Sequence, residues 1–119
     1  MKFDYKEQFN VAGKCCIVTG GAQGLSKGMA EGLLENGAKV VLMDVQKEKL
    51  QAVVDEYRAM GYEVYGVCGD LSNRAEIDRM FNKAMENLNG HLDVLIPAAG
   101  IQRRHLPEEF PIEEWDLVL

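Results

Sequence analysis

The residues whose types and spacing could do chemistry are Thr19-Gly20-Gly21-Ala22-Gln23-Gly24-Leu25-Ser26. They follow a short apolar run, Cys15 to Val18, that reads as a buried strand ending in a tight turn. Behind them Leu25, Met29, Ala30, Leu33 and Leu34 recur at the spacing of one helix face. Strand, glycine turn and helix together make a cradle for a pyrophosphate. Glycines let the backbone approach the phosphate oxygens, and the unpaired N–H groups of the first helical turn point at them. A lone glycine motif is weak, so its context has to carry it. That context is Asp44, which closes the apolar run Lys39-Val40-Val41-Leu42-Met43 twenty residues after Gly24. A carboxylate there can hold the hydroxyls of an adenosine ribose, and it repels a 2′-phosphate. The expected cofactor is therefore NAD rather than NADP. Lys27 in the turn and Lys47 just past the acid are the cations that argue the other way.

The elements that must position these residues alternate along the chain. The pattern predicts a strand at 14–19, a helix at 24–36 stopped by Gly37, and a strand at 39–44. A second helix is expected from Gln46 to Met60, with Leu50, Val53, Val54, Tyr57 and Met60 as its apolar stripe. A third strand follows at 62–67. Asn73 and Glu76 have the spacing of a capping box for a third helix, whose stripe is Ile77, Met80, Phe81, Ala84, Met85 and Leu88. A fourth strand runs from Leu92 to Pro97. Residues 101–110 read as a loop and a last helix starts near Pro111. Residues 1–12 read as an arm whose Phe3, Tyr5 and Phe9 pack on the domain or a partner subunit. Short connections between alternating strands and helices predict a parallel sheet covered on both faces.

The glycine stretch resembles the T-G-x-x-x-G-x-G signature of the short-chain dehydrogenases/reductases. Gly13-Lys14, Gly69-Asp70-Leu71 and Ala98-Ala99-Gly100 fall where that family has its landmarks. The similarity runs from about Phe9 to Leu119. It implies a Rossmann-type sheet in the order three-two-one-four, cut after the fourth strand and the start of the next helix. It implies backbone contacts to the pyrophosphate at Gly20, Gln23, Gly24 and Leu25, and ribose binding by Asp44. Asp70 and Leu71 would flank the adenine, while Ala99 and Gly100 would border the riboses. Ser26 departs from the family's last glycine, and Pro97-Ala98 stand where the family has two asparagines. The family's acid/base tyrosine is followed four residues later by lysine. Here Tyr5, Tyr57, Tyr62 and Tyr65 are followed at that spacing by Phe9, Gly61, Gly66 and Gly69. The chain therefore carries no assigned catalytic residue. Residues 1–119 are expected to be one dinucleotide-binding domain, the N-terminal part of a longer enzyme and inactive alone.

Composition narrows the remaining classes. A net charge of −6 argues against nucleic acid, which wants a basic face. The apolar runs are far short of a membrane span, and the charged start has no secretory pattern, so a cytoplasmic protein is expected. Three cysteines with no Cys/His ligand spacing read as apolar fillers, with no metal. Strand four would be an open sheet edge, so a homo-oligomer is expected. Two arginines, Arg103 and Arg104, directly follow that strand, at the carboxyl edge where cofactor and substrate meet. A guanidinium holds a carboxylate by two parallel bonds. The stretch Gly100 to Arg104 and Glu109 through Asp116 look like the gluconate 5-dehydrogenase and 2-deoxygluconate 3-dehydrogenase branch. That resemblance implies a small-molecule sugar-acid substrate, with Arg104 its first carboxylate ligand and Arg103 its second. The other readings are a neutral polyol or ketone substrate, a nucleotide-binding or assembly module without turnover, and methyl transfer from S-adenosylmethionine.

Overall fold

The computed structural model describes residues 9–98 and residue 112. Along them run β1 (Cys15–Thr19), α1 (Gly24–Glu35), β2 (Lys39–Asp44), α2 (Lys47–Ala59), β3 (Val64–Cys68), α3 (Arg74–Asn87) and β4 (Val94–Pro97). The strands form one parallel sheet in the order β3-β2-β1-β4. This is the Rossmann-type arrangement expected. The loop over 101–110, the helix from Pro111, and the arm residues Phe3 and Tyr5 lie outside the described residues. Phe9 is described and is exposed.

The two central strands explain the continuous apolar runs. Cys16 to Val18 and Val40 to Met43 are buried on both faces, so polar alternation has no place there. Their side chains divide between two cores. Cys16, Val18, Val40 and Leu42 meet α1 and α2 through Ala30, Leu34, Leu50, Val53, Val54 and Tyr57. Ile17, Val41 and Met43 meet α3 through Met80, Ala84 and Leu88 on the opposite face. Right-handed crossovers impose this division. The chain moves outward from β1 to β3 and then returns across the sheet to β4, which sends α3 to the other side. The order reverses between β1 and β4, so the crevice at their carboxyl ends is the place for a ligand.

Several local expectations need correction. On α1 the buried set is Ser26, Ala30 and Leu34, four residues apart. Leu25 sits about 100° round the helix from Ser26 and is 82% exposed. Met60 caps α2 rather than extending its stripe, and it is exposed. Ile77 and Phe81 are exposed on the flank of α3 because only the Met80-Ala84-Leu88 row meets the sheet. β3 starts at Val64, not Tyr62, because the Tyr62 N–H turns back to the Tyr57 carbonyl at the end of α2. The capping box is only half formed. The Asn73 side chain accepts from the Ala75 N–H, while Glu76 Oε2 accepts from Asp70 N–H instead of closing on Asn73.

At the amino ends of the strands, Asp93 Oδ2 accepts the Cys15 N–H at 2.8 Å, and Asp93 Oδ1 lies 2.9 Å from His91 Nε2. The Cys15 bond foremost, then His91, holds the Asp93 carboxyl below its ordinary value of 3.8. A carboxylate depressed in the folded state contributes stability above its unfolded pKa and loses it as pH falls through the folded one. Thermal unfolding of Asp93→Asn is therefore expected to be less acid-sensitive than wild type below about pH 4. Parallel acid limbs for the two proteins would show that the charge on Asp93 does not matter.

Candidate functional site

The site grows from the backbone after β1. Gly20 takes φ +68° and Gly24 φ +66°, the left-handed region that suits glycine, and between them the chain makes the turn into α1. Gly20 donates its N–H to the Met43 carbonyl at 2.7 Å, which pins the turn to the end of β2. A Cβ added at Gly21 would lie 2.8 Å from Leu42 Cδ2, so the turn runs close against β2 and a larger residue there displaces the Leu42 side chain. A Cβ at Gly24 would meet nothing within 4 Å among the described residues, so they leave the space beside this end of the turn open.

Asp44 ties three connections together. Its Oδ2 accepts the Ala22 N–H of the glycine turn at 3.1 Å, and its Oδ1 accepts the Gln46 N–H at 2.9 Å. Its carbonyl accepts the Gly69 N–H after β3 at 3.1 Å. The residue is 7% exposed. Each carboxylate oxygen keeps a further lone pair beyond the backbone bond it accepts.

The start of α1 is bare. Gln23 is its N-cap in extended conformation but makes no side-chain cap, and the first turn holds no acid. The first bond back into the turn is Lys27 N–H to the Gln23 carbonyl at 3.4 Å. The N–H groups of Gly24, Leu25 and Ser26 precede it and have no intrahelical acceptor. With the helix dipole, they present positive potential to the open space. Leu25, exposed as a side chain, stands here as a backbone donor.

Asp70 follows β3 on the same edge. Its Oδ1 accepts both the Ser72 N–H at 2.9 Å and the Ser72 hydroxyl at 2.7 Å. The hydroxyl bond first, then the N–H bond, lowers the Asp70 carboxyl below its ordinary value. Leu71 is half-buried against the α3-side core. A Cβ at Gly69 would fall 2.5 Å from Met80 Sδ and 2.8 Å from Arg79 Nη2, so the chain passes α3 closely just before Asp70.

Thus Gly20, Gln23, Gly24, Leu25, Asp44, Asp70 and Leu71 come together at one sheet edge. Ala99, Gly100, Arg103 and Arg104 lie outside the described residues. Lys27 falls otherwise than the sequence suggested. Lys27 points away from the turn: it lies 3.6 Å from Glu56 and 5.8 Å from the Tyr57 ring centroid. The ammonium that does reach the turn is that of Lys49, which donates to Gln23 Oε1 at 2.8 Å. Sequence reasoning missed it because only the packing of α2 beside α1 brings them together. Tyr57, buried, donates to Glu31 Oε2, and burial foremost raises its pKa, so it is a core residue. Burial, then Asp93, pushes the Cys16 thiol up to about 11, which keeps it protonated and inert in the core. A separate hollow lined by Phe9, Val11, Met29, Leu33 and Ile96 holds no titratable side chain among the described residues.

The family model for short chain dehydrogenases matches residues 14–119. The chain is 32% identical over 109 residues to (2S)-[(R)-hydroxy(phenyl)methyl]succinyl-CoA dehydrogenase subunit BbsD of Thauera aromatica, covering 92% of this chain and 44% of that protein. It is 34% identical over 111 residues to 5-keto-D-gluconate 5-reductase of Escherichia coli K12, covering 93% and 43%. The chain thus spans less than half the length of these curated relatives. A short chain dehydrogenase/reductase from Burkholderia phymatum, solved in complex with NAD, superposes with a TM-score of 0.83 at 34% identity, over 92% of this chain and 39% of that one. A gluconate 5-dehydrogenase from Burkholderia cenocepacia, solved with NADP and tartrate, gives 0.80 at 28% identity, over 90% and 42%.

Proposed function

The chain belongs to the short chain dehydrogenase family, and on that premise we propose that it supplies the cofactor-binding half of an NAD-dependent oxidoreductase acting on a hydroxyl of a sugar acid. Residues 1–119 are read as one dinucleotide-binding unit. The observation that carries the cofactor assignment is Asp44: a nearly buried carboxylate at the end of β2, bonded to the glycine turn, with lone pairs left over.

The residues present fit a dinucleotide. The bare N–H groups of α1 and the open space beside Gly24 suit a pyrophosphate. Asp44 accepts from ribose hydroxyls and sets its charge against a 2′-phosphate. Asp70 keeps Oδ2 for an adenine amino group while Ser72 fixes Oδ1. Ala99 and Gly100 border the riboses in this reading. The nicotinamide, when bound, supplies hydride exchange with the substrate carbon. The chain's own residues bind and orient its adenosine diphosphate end. Arg104, with Arg103 second, holds the substrate carboxylate. Similarity to a 5-keto-D-gluconate reductase and to a gluconate 5-dehydrogenase solved with tartrate supports a hydroxy-acid substrate.

Titration with NADH, NADPH and S-adenosylmethionine tests this reading. NADH is expected to bind about tenfold more tightly than NADPH, as one like-charge contact commands. S-adenosylmethionine, which has no pyrophosphate, is expected not to bind measurably. Tighter NADPH binding would reverse the cofactor assignment, and S-adenosylmethionine binding alone would replace the reaction class.

A further inference from the structure

Gln23 stands at the N-cap of α1, where its side-chain oxygen could accept one of the bare N–H groups. It does not. Its Oε1 instead accepts from Lys49 Nζ at 2.8 Å, across from the first turn of α2. Two effects follow at once. The helix N–H groups are not capped by this side chain, and an ammonium is tethered to the N-cap residue. The partner is a neutral amide, so the Lys49 charge is not cancelled. Among the described residues the side-chain ion pairs join Lys27 to Glu56, Lys39 to Glu63, Arg79 to Glu76 and His91 to Asp93, and none includes Lys49. In a chain with 19 acidic residues against 13 lysines and arginines, a lysine kept apart from carboxylates is free to meet an external anion.

We infer that Lys49 is a further cofactor-binding residue: held by Gln23 at the glycine turn, its ammonium meets a phosphate of the dinucleotide. This rests on the dinucleotide reading of the site. The phosphate would be either the pyrophosphate, held by the α1 N-terminus, or a 2′-phosphate on a ribose held by Asp44. The chemistry is the same for both, and Lys49 softens the repulsion that Asp44 exerts in the second case. An exposed, salt-screened cation at one phosphate is worth about a two- to fivefold change in affinity.

The test compares wild type with Lys49→Gln and Lys49→Arg by calorimetric titration with NADH, NADPH and adenosine. Unfolding without ligand is monitored in parallel. Lys49 is exposed, so all three proteins are expected to melt alike. Lys49→Gln is expected to weaken dinucleotide binding about two- to fivefold at low salt, with the difference shrinking as salt rises. Equal loss for NADH and NADPH assigns the pyrophosphate; loss for NADPH alone assigns the 2′-phosphate. Adenosine binding is expected to be unchanged, and Lys49→Arg to keep most of the affinity. Less than twofold loss for both dinucleotides overturns the inference, as does equal loss for adenosine, which would mean a change in shape. If wild type binds neither dinucleotide, the reading of the site fails and Lys49 falls with it. If wild type binds and Lys49→Gln binds equally, only Lys49 falls.

Discussion

Asp44→Ala is expected to remove most of the NADH affinity and to lower the melting temperature of the chain without ligand. The stability effect comes from two N–H groups that lose their acceptors, on Ala22 and Gln46. Ala22 is buried, so water does not readily replace the carboxylate there. A buried donor left without a partner costs about 1–3 kcal/mol. In a domain of this size that lowers the melting temperature by roughly 5–10 °C. The binding effect comes from two sources, lost bonds to ribose hydroxyls and a loosened glycine turn. Together they are expected to weaken NADH about 10- to 100-fold, as for loss of charge-assisted bonds. NADPH is expected to suffer less, because the repulsion leaves with the carboxylate. Asp44→Asn provides the comparison: its oxygen accepts one N–H, but its NH2 faces the other donor. A lower melting temperature with unchanged NADH affinity would limit Asp44 to bracing the turn. An unchanged melting temperature would refute the bracing role instead.

In a turnover-competent protein carrying this sequence, Arg104→Ala is expected to raise KM for a sugar acid about 10- to 100-fold, while the neutral polyol of the same chain length changes less than about threefold. The difference is the point of the measurement. A guanidinium paired with a carboxylate contributes only where the carboxylate is present. If the arginine instead pairs with a surface acid, its loss affects both substrates alike, or neither. Arg103→Ala is the internal comparison, expected to have the smaller effect of the two. Equal changes for acid and polyol would remove the carboxylate argument and favour the neutral polyol or ketone reading.

Much of this molecule was legible in its residues. Central strands need both faces covered, so Cys15 to Val18 and Lys39 to Met43 could be nothing but buried strands once glycine and asparagine punctuated them. The order of elements and the positions of Gly20, Gly24, Asp44 and Asp70 at one edge follow from strand-then-turn chemistry, which is local. The parts that went wrong depend on what lies alongside. Leu25, Met60, Ile77 and Phe81 fit a helical stripe by spacing, yet they are exposed. Periodicity gives the face of a helix but not its width, and the width is decided by how much sheet lies beneath. The Glu76 bond to Asp70 instead of Asn73 reflects competition between nearby donors that spacing alone does not rank.

Charge pairing was least legible of all. Lys27 belongs to the glycine turn by sequence, yet it turns to Glu56 and the Tyr57 ring. Lys49 is remote from the turn by sequence, yet it reaches Gln23. Long flexible side chains take whichever partner the packed helices place within reach, and α1 and α2, separated in the chain by β2, touch side by side on one face of the sheet. The sequence by itself determined the strands, the turns that follow them and the acid at the end of β2, because those depend on local geometry and burial, while the strand order was implied by the family resemblance. Only the tertiary structure decided which cation stands at the turn and that Asp44 joins three connections, because both depend on distances between segments that the chain order does not contain.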